Sequence, residues 1–196
     1  ATEGQFGKDI SMSAIRVALK KLGFTDMVEV GLGGDMTAAY EALEWSEARK
    51  EGKKMTTSCC PAFINLLKIH FPDQYHENMS ETLSPMAAVS RYLKAIHPDC
   101  VTVFIGPCMA KKSESQEMGI EGNADYVLSF GEFSSLLRSK DVQLEAEVSP
   151  YQEASLWGKN FASSGGVANA VMECMRERGE DTTDIKLRAC SGGKEC

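Results

Sequence analysis

Thr57-Ser58-Cys59-Cys60-Pro61-Ala62-Phe63 decides the reading of this chain. Two adjacent thiols close a short hydroxyl-bearing run and are followed at once by proline. Beyond them Phe63, Ile64, Leu66, Leu67 and Ile69 recur at roughly helical spacing. Proline is tolerated in a first helical turn, so the pair is expected at a strand-to-helix junction. Helix N-termini favour thiolate over thiol, because exposed N–H groups and the helix dipole stabilise negative charge. Adjacent cysteines point in different directions, so one is expected to bind a metal while the other faces a substrate pocket.

Outward from that stretch, helical and extended patterns alternate. Ser11 is a good cap for a helix over residues 12–22, which Gly23 ends. A buried strand is expected over 27–30, then a tight Gly31–Gly34 connection and a helix capped by Asp35 and running to Lys50. A short strand over 55–58 delivers the cysteine pair, and Ser84-Pro85 opens a helix to Ile96. Strands over 101–105 and 126–130 follow, with a short helix over 131–138. Ser163-Ser164-Gly165-Gly166 opens a helix to Arg178, and 185–189 reads as a last strand. Such alternation implies βαβ units and a largely parallel sheet. Cysteine sites then fall at the carboxyl ends of strands, where open α/β sheets place ligands.

The 196 residues are 43% hydrophobic and 25% charged, enough for one sizeable core or two small lobes. A net charge of −7 argues against a nucleic-acid footprint. No apolar run approaches the ~20 residues of a membrane span, and no secretory leader is visible. Seven cysteines at irregular spacing argue against a secreted disulfide framework. In a reducing cytoplasm, the expected location, they are metal ligands or reactive thiols. Because the chain stops on Cys196 beside a glycine-rich loop, it reads as an excised or truncated segment.

Cys60, Cys108, Cys190 and Cys196 are far apart in sequence yet similarly placed in local pattern. Four thiolates in one crevice would suit an iron–sulfur cluster. Structural zinc usually shows paired C-x-x-C knuckles, which are missing here. Buried thiols acting as small hydrophobes are the plain alternative. In Pro107-Cys108-Met109-Ala110-Lys111-Lys112-Ser113-Glu114, Lys111 lies three residues past a cysteine at a helix start. There it can offer donors and positive charge to an anionic ligand. A solvated surface pair is the ordinary reading of two adjacent lysines. Glu41 and Glu44 share one helix face, which by itself usually means a solvated surface. Cys100 and Cys174 read as core thiols, and His70, His76 and His97 do not cluster.

T-S-C-C-P followed by P-C-M-A-K-K-x-E resembles the first two signature motifs of the [FeFe]-hydrogenase catalytic domain. Ala189-Cys190-Ser191-Gly192-Gly193-Lys194-Glu195-Cys196 resembles a degenerate third motif. The segment from Phe161 to Val167 also looks like one from that family. The resemblance spans nearly all of residues 1–196 and implies an α/β fold: two lobes with mainly parallel sheets flanked by helices, and a metal cluster in the cleft between them. It implies the H-cluster, a [4Fe–4S] cluster joined to a diiron unit carrying CO, cyanide and a bridging dithiolate amine. Cys60, Cys108, Cys190 and Cys196 would then be the metal ligands, with Cys196 as the bridge. The third motif of the family holds three residues between its cysteines, and here there are five.

By the same resemblance Cys59 is the thiol that passes protons to the cofactor, and Lys111 hydrogen-bonds a cyanide with Glu114 orienting it. Pro107, Met109, Ser84, Pro85, Met86 and Phe161 line the pocket. A relay of Cys59, Glu41, Ser80 and Glu44 leads outward, with Arg49 the candidate outer arginine. The implied reaction is reversible reduction of protons to dihydrogen. Ferredoxin or accessory Fe–S domains would supply electrons, and maturation proteins would load the site. Ala62 and Phe63 replace the glycine and tryptophan of the best-known enzymes, and Gly106 replaces a methionine. These departures suggest a less-studied, group B-like branch. A slow sensory relative, a cluster-binding assembly factor and a zinc module are the competing readings.

Overall fold

The computed structural model describes residues 5–7, 10–117, 119–145 and 153–187. Within them the chain is a mixed helix–sheet structure with a parallel sheet. Helix α1 (Met12–Lys21) starts where Ser11 accepts a hydrogen bond from the Ala14 N–H at 3.1 Å. Helix α2 (Gly31–Lys50) is the long central element. Then come α3 (Pro61–His70), α4 (Pro72–Asn78) and α5 (Pro85–Ile96), each opened by proline. Strand β1 (Val103–Gly106), the short α6 (Ala110–Glu114) and β2 (Tyr126–Ser129) form one βαβ unit. Helices α7 (Phe130–Ser139), α8 (Leu156–Asn160) and α9 (Gly166–Glu177) complete the order.

β1 and β2 pair in parallel, from Val103 opposite Tyr126 to Gly106 opposite Ser129. That bears out the expected parallel pairing, but among the described residues helix far outweighs strand. The strand expected over 27–30 does not form. Glu29 is instead buried against the segment before α8, its N–H donating to Glu153 Oε2 at 2.9 Å and its carboxylate accepting the Ala154 N–H at 3.1 Å. The stretch before the cysteine pair makes a single parallel bridge, Thr56 to Met79. Residues 185–187 are not in a strand, and 188–189 lie outside the described residues.

α2 begins four residues earlier than Asp35. The Asp35 carboxylate does not cap it, and accepts hydrogen bonds from the Ser155 N–H at 2.8 Å and the Ser155 hydroxyl at 2.5 Å. The helix packs against α5, α8 and α9. Gly33 makes the first of these contacts possible, because a Cβ there would lie 2.0 Å from the Pro85 carbonyl oxygen. Gly165, at φ 73°, turns the chain in the left-handed region before α9.

Two groups of buried residues hold these layers. Ile15, Ala18 and Leu19 of α1 meet Phe133 and Leu137 of α7. Ala38 of α2 meets Phe161, just past α8, and Ala170 of α9, with Cys59, Val167, Val171 and Cys174 packed against them. Cys174 is thus a packing thiol, as expected. Among the described residues no helix is long and apolar enough to cross a membrane.

Candidate active site

Cys60 is the N-cap of α3, in extended conformation ahead of Pro61, and is exposed. The strand-to-helix placement read from the sequence holds, although the strand is only a bridge. Cys59, one residue earlier, turns inward to the cluster of Ala38, Phe161 and Ala170. Burial pushes its thiol above the ordinary range, and the nearby Glu41 charge acts the same way. The Thr57 hydroxyl and the Lys111 ammonium oppose that rise. Desolvation therefore outweighs the helix terminus at Cys59, and the thiol keeps its proton.

Lys111 joins the first two motifs. Its backbone N–H donates to the Cys108 carbonyl at 3.3 Å, and its Nζ donates to the Cys59 carbonyl at 3.3 Å. β1 runs into Gly106-Pro107-Cys108, so the strand end leads through this second cysteine into the short helix that carries Lys111. Only 8% exposed, Lys111 is not a solvated surface lysine. Glu114 compensates the buried ammonium, with Oε2 at 2.6 Å from Nζ. The Ser84 hydroxyl donates to Glu114 Oε1, and the Asn123 side chain donates to the Glu114 carbonyl at 2.8 Å. Ser84 also caps α5, accepting the Ala87 N–H at 3.4 Å. One hydrogen-bonded set thus ties α5, α6 and the cysteine pair together.

Glu41 is 2% exposed on α2, so the surface reading fails for it. Its Oε1 accepts from the Thr57 hydroxyl at 2.5 Å and from the Ser58 N–H at 3.2 Å. Burial raises its pKa above the ordinary 4.5, against the hydrogen bonds from Thr57 and Ser58. One helical turn on, half-buried Glu44 accepts the Ser80 hydroxyl at 2.5 Å and the Glu81 N–H at 3.2 Å. Ser80 is buried, with the Ser58 hydroxyl 3.5 Å away.

Cys59, Glu41, Ser80, Glu44, Lys111, Glu114 and Ser84 thus belong to one connected region. Phe161 packs beside Cys59, while Met86 is fully buried and Pro85 half-buried at the start of α5. Pro107 and Met109 are exposed, Met109 by 60%. Cys190 and Cys196 lie outside the described residues, among which no cluster of three or more potential metal ligands occurs. Cys60 and Cys108 carry free thiols. Arg49 does not join Glu44. It donates to the Asp181 carbonyl at 2.9 Å, pairs with Asp184 and lies over the Trp45 ring. Thr57 was not singled out from sequence, although its place two residues before Cys59 was the available signal.

Residues 1–196 match the family described as iron only hydrogenase large subunit, C-terminal domain, and the chain belongs to that family. A curated relative, Iron hydrogenase 1 of Clostridium pasteurianum, is 26% identical over 208 residues, covering 95% of this chain and 36% of the relative. The fold is similar to apo [FeFe]-hydrogenase HydA1 from Chlamydomonas reinhardtii, in a variant form. That match has a TM-score of 0.72 and 25% identity, over 97% of this chain and 53% of the other. A second solved structure, HydA(deltaEFG), which reveals stepwise [FeFe]-hydrogenase H-cluster assembly, aligns at TM-score 0.70 and 25% identity, over 97% and 53%. The chain therefore spans about a third of the curated relative and about half of each solved chain.

Proposed function

We propose that this chain is the H-cluster-binding part of an [FeFe]-hydrogenase that interconverts protons and dihydrogen. The observation that carries this reading is the buried Lys111, bonded to the backbones of both Cys59 and Cys108. The donor set fits the cofactor. Cys60 and Cys108 offer free, soft thiols suited to iron. Beside them Lys111 has two acceptors for three N–H groups among the described residues, leaving one for an anionic ligand. Cys190 and Cys196 would complete the ligand set. When bound, the H-cluster supplies the open iron site and the electron chemistry.

The protein supplies proton traffic and charge compensation. Cys59, protonated and inward-facing, would hold at Sγ the proton destined for the cofactor and would be refilled from Glu41. A raised pKa lets the Glu41 carboxyl hold a proton closer to neutrality than an ordinary glutamate. Ser80 stands between the two carboxyls, close enough to Glu41 to act on its pKa, and donates its hydroxyl to Glu44, whose half-exposed carboxylate meets solvent. Glu114 and Ser84 hold the Lys111 ammonium still. Ferredoxin or accessory Fe–S domains bring electrons, maturation proteins load the site, and the protein works in the cytoplasm.

Infrared spectroscopy of the matured protein is the test. Bands from bound CO and cyanide are expected, and Cys59→Ala should keep them while losing nearly all turnover. A matured protein without those bands would refute the reading in favour of an assembly factor that holds only the [4Fe–4S] cluster.

A further inference from the structure

Two donors converge on one oxygen of Glu41. The Thr57 hydroxyl approaches Oε1 at 2.5 Å and the Ser58 N–H approaches it at 3.2 Å. The Thr57 oxygen also accepts the Cys59 N–H at 3.4 Å. A threonine hydroxyl has one hydrogen, which is thus committed to Glu41 and cannot travel. A carboxyl oxygen already accepting two donors is a poor seat for a proton, since a proton there would have to displace one of them.

We propose that Thr57 is a positioning residue, which with the Ser58 N–H reserves Glu41 Oε1 as an acceptor and confines the transferred proton to Oε2. The inference rests on the reading of Glu41 as a relay member. Thr57 also bonds the Cys59 backbone, so a single side chain fixes both partners of the innermost step. Facing Glu41 are the Glu44 carboxylate from its own helix, which disfavours a second negative charge nearby, and the neutral Cys59 thiol from the 57–60 segment. The remaining wall is an apolar cavity of about 280 Å³, lined by Trp45, Val167, Val171 and Met175. In that setting the two donors decide which oxygen is the carbonyl when Glu41 is protonated.

The carbonyl stretch of protonated Glu41 reads this directly. It is observed by infrared difference spectroscopy of the matured protein and assigned by its loss in Glu41→Gln. In Thr57→Val the carbonyl loses a donor, so the band should move to higher frequency. The anion loses the same donor, so the band should persist to higher pH. Turnover should fall about tenfold, the effect of one hydrogen bond to a charged group. Thr57→Ser should restore all three, and Thr57→Ala serves if the valine variant fails to fold. A band that stays at its parent frequency and pH range in Thr57→Val or Thr57→Ala overturns the positioning role, even where turnover falls, because loosened packing alone would do that. Parent-level turnover in Glu41→Gln would instead overturn the relay reading, and the positioning role with it.

Discussion

Lys111 Nζ donates to the Cys59 carbonyl at 3.3 Å across 52 residues of sequence, holding the thiol's backbone to the helix that follows the second cysteine motif. The ammonium is buried with Glu114, and a buried pair is costly to break one-sidedly. Lys111→Met should therefore lose about 3–5 kcal/mol of stability by leaving the Glu114 carboxylate uncompensated. Lys111→Met with Glu114→Gln should recover much of that loss while remaining unable to retain the cyanide-bearing cofactor. Urea unfolding compares the stabilities, and infrared bands after maturation report cofactor retention.

Glu41 adds a pH dependence of definite sign. Its folded-state pKa is raised by burial above the ordinary 4.5, so the folded form prefers it protonated. Its contribution to stability is full below 4.5 and is lost as pH rises through the raised value. Glu41→Gln should remove that loss, flattening the melting-temperature profile above the ordinary carboxylate range. The same variant should slow turnover roughly 10²–10⁴-fold if proton delivery depends on this carboxyl. Thermal melts across pH, paired with hydrogen evolution assays, separate the two effects.

At Gly33, α2 approaches the Pro85 carbonyl so closely that an added Cβ would sit 2.0 Å from the oxygen. The obstacle is backbone, which cannot swing aside. Gly33→Ala should cost about 1–3 kcal/mol or more and should push α5 outward with Ser84 at its cap. Denaturant midpoints measure the first effect. The second should show as a shift of the cyanide infrared bands, because Ser84 steadies Glu114 and through it Lys111.

Arg49 gives a contrasting expectation. Its guanidinium is taken up by Asp181 and Asp184, not by Glu44. As a partly exposed pair, this interaction contributes at most about 1 kcal/mol. Arg49→Gln should leave turnover near the parent level and change stability by no more than that. A large fall in hydrogen evolution would show that protons leave by way of Arg49 after all.

Local patterns were readable where the chemistry is local. The Ser11 cap, the helices opened by Pro61 and Pro85, the β1 and β2 cores and the placement of Cys60 at a helix start all follow from neighbours in sequence. The strand expected over 27–30 failed because Glu29 found hydrogen-bond partners 124 and 125 residues away. Asp35 likewise looked like a cap and was recruited by Ser155. Apolar runs and capping residues state what a segment can do, while distant partners decide which option is taken.

Sequence by itself determined the family, through two motifs whose cysteines, proline and lysine stand at fixed spacing along the backbone. Only the tertiary structure decided that Lys111 and Glu41 are buried rather than solvated. It also made Thr57 the link between Cys59 and Glu41. Burial and pairing depend on segments brought together from far along the chain. They set the protonation of a carboxyl or a thiol, and a residue's letter does not carry that information.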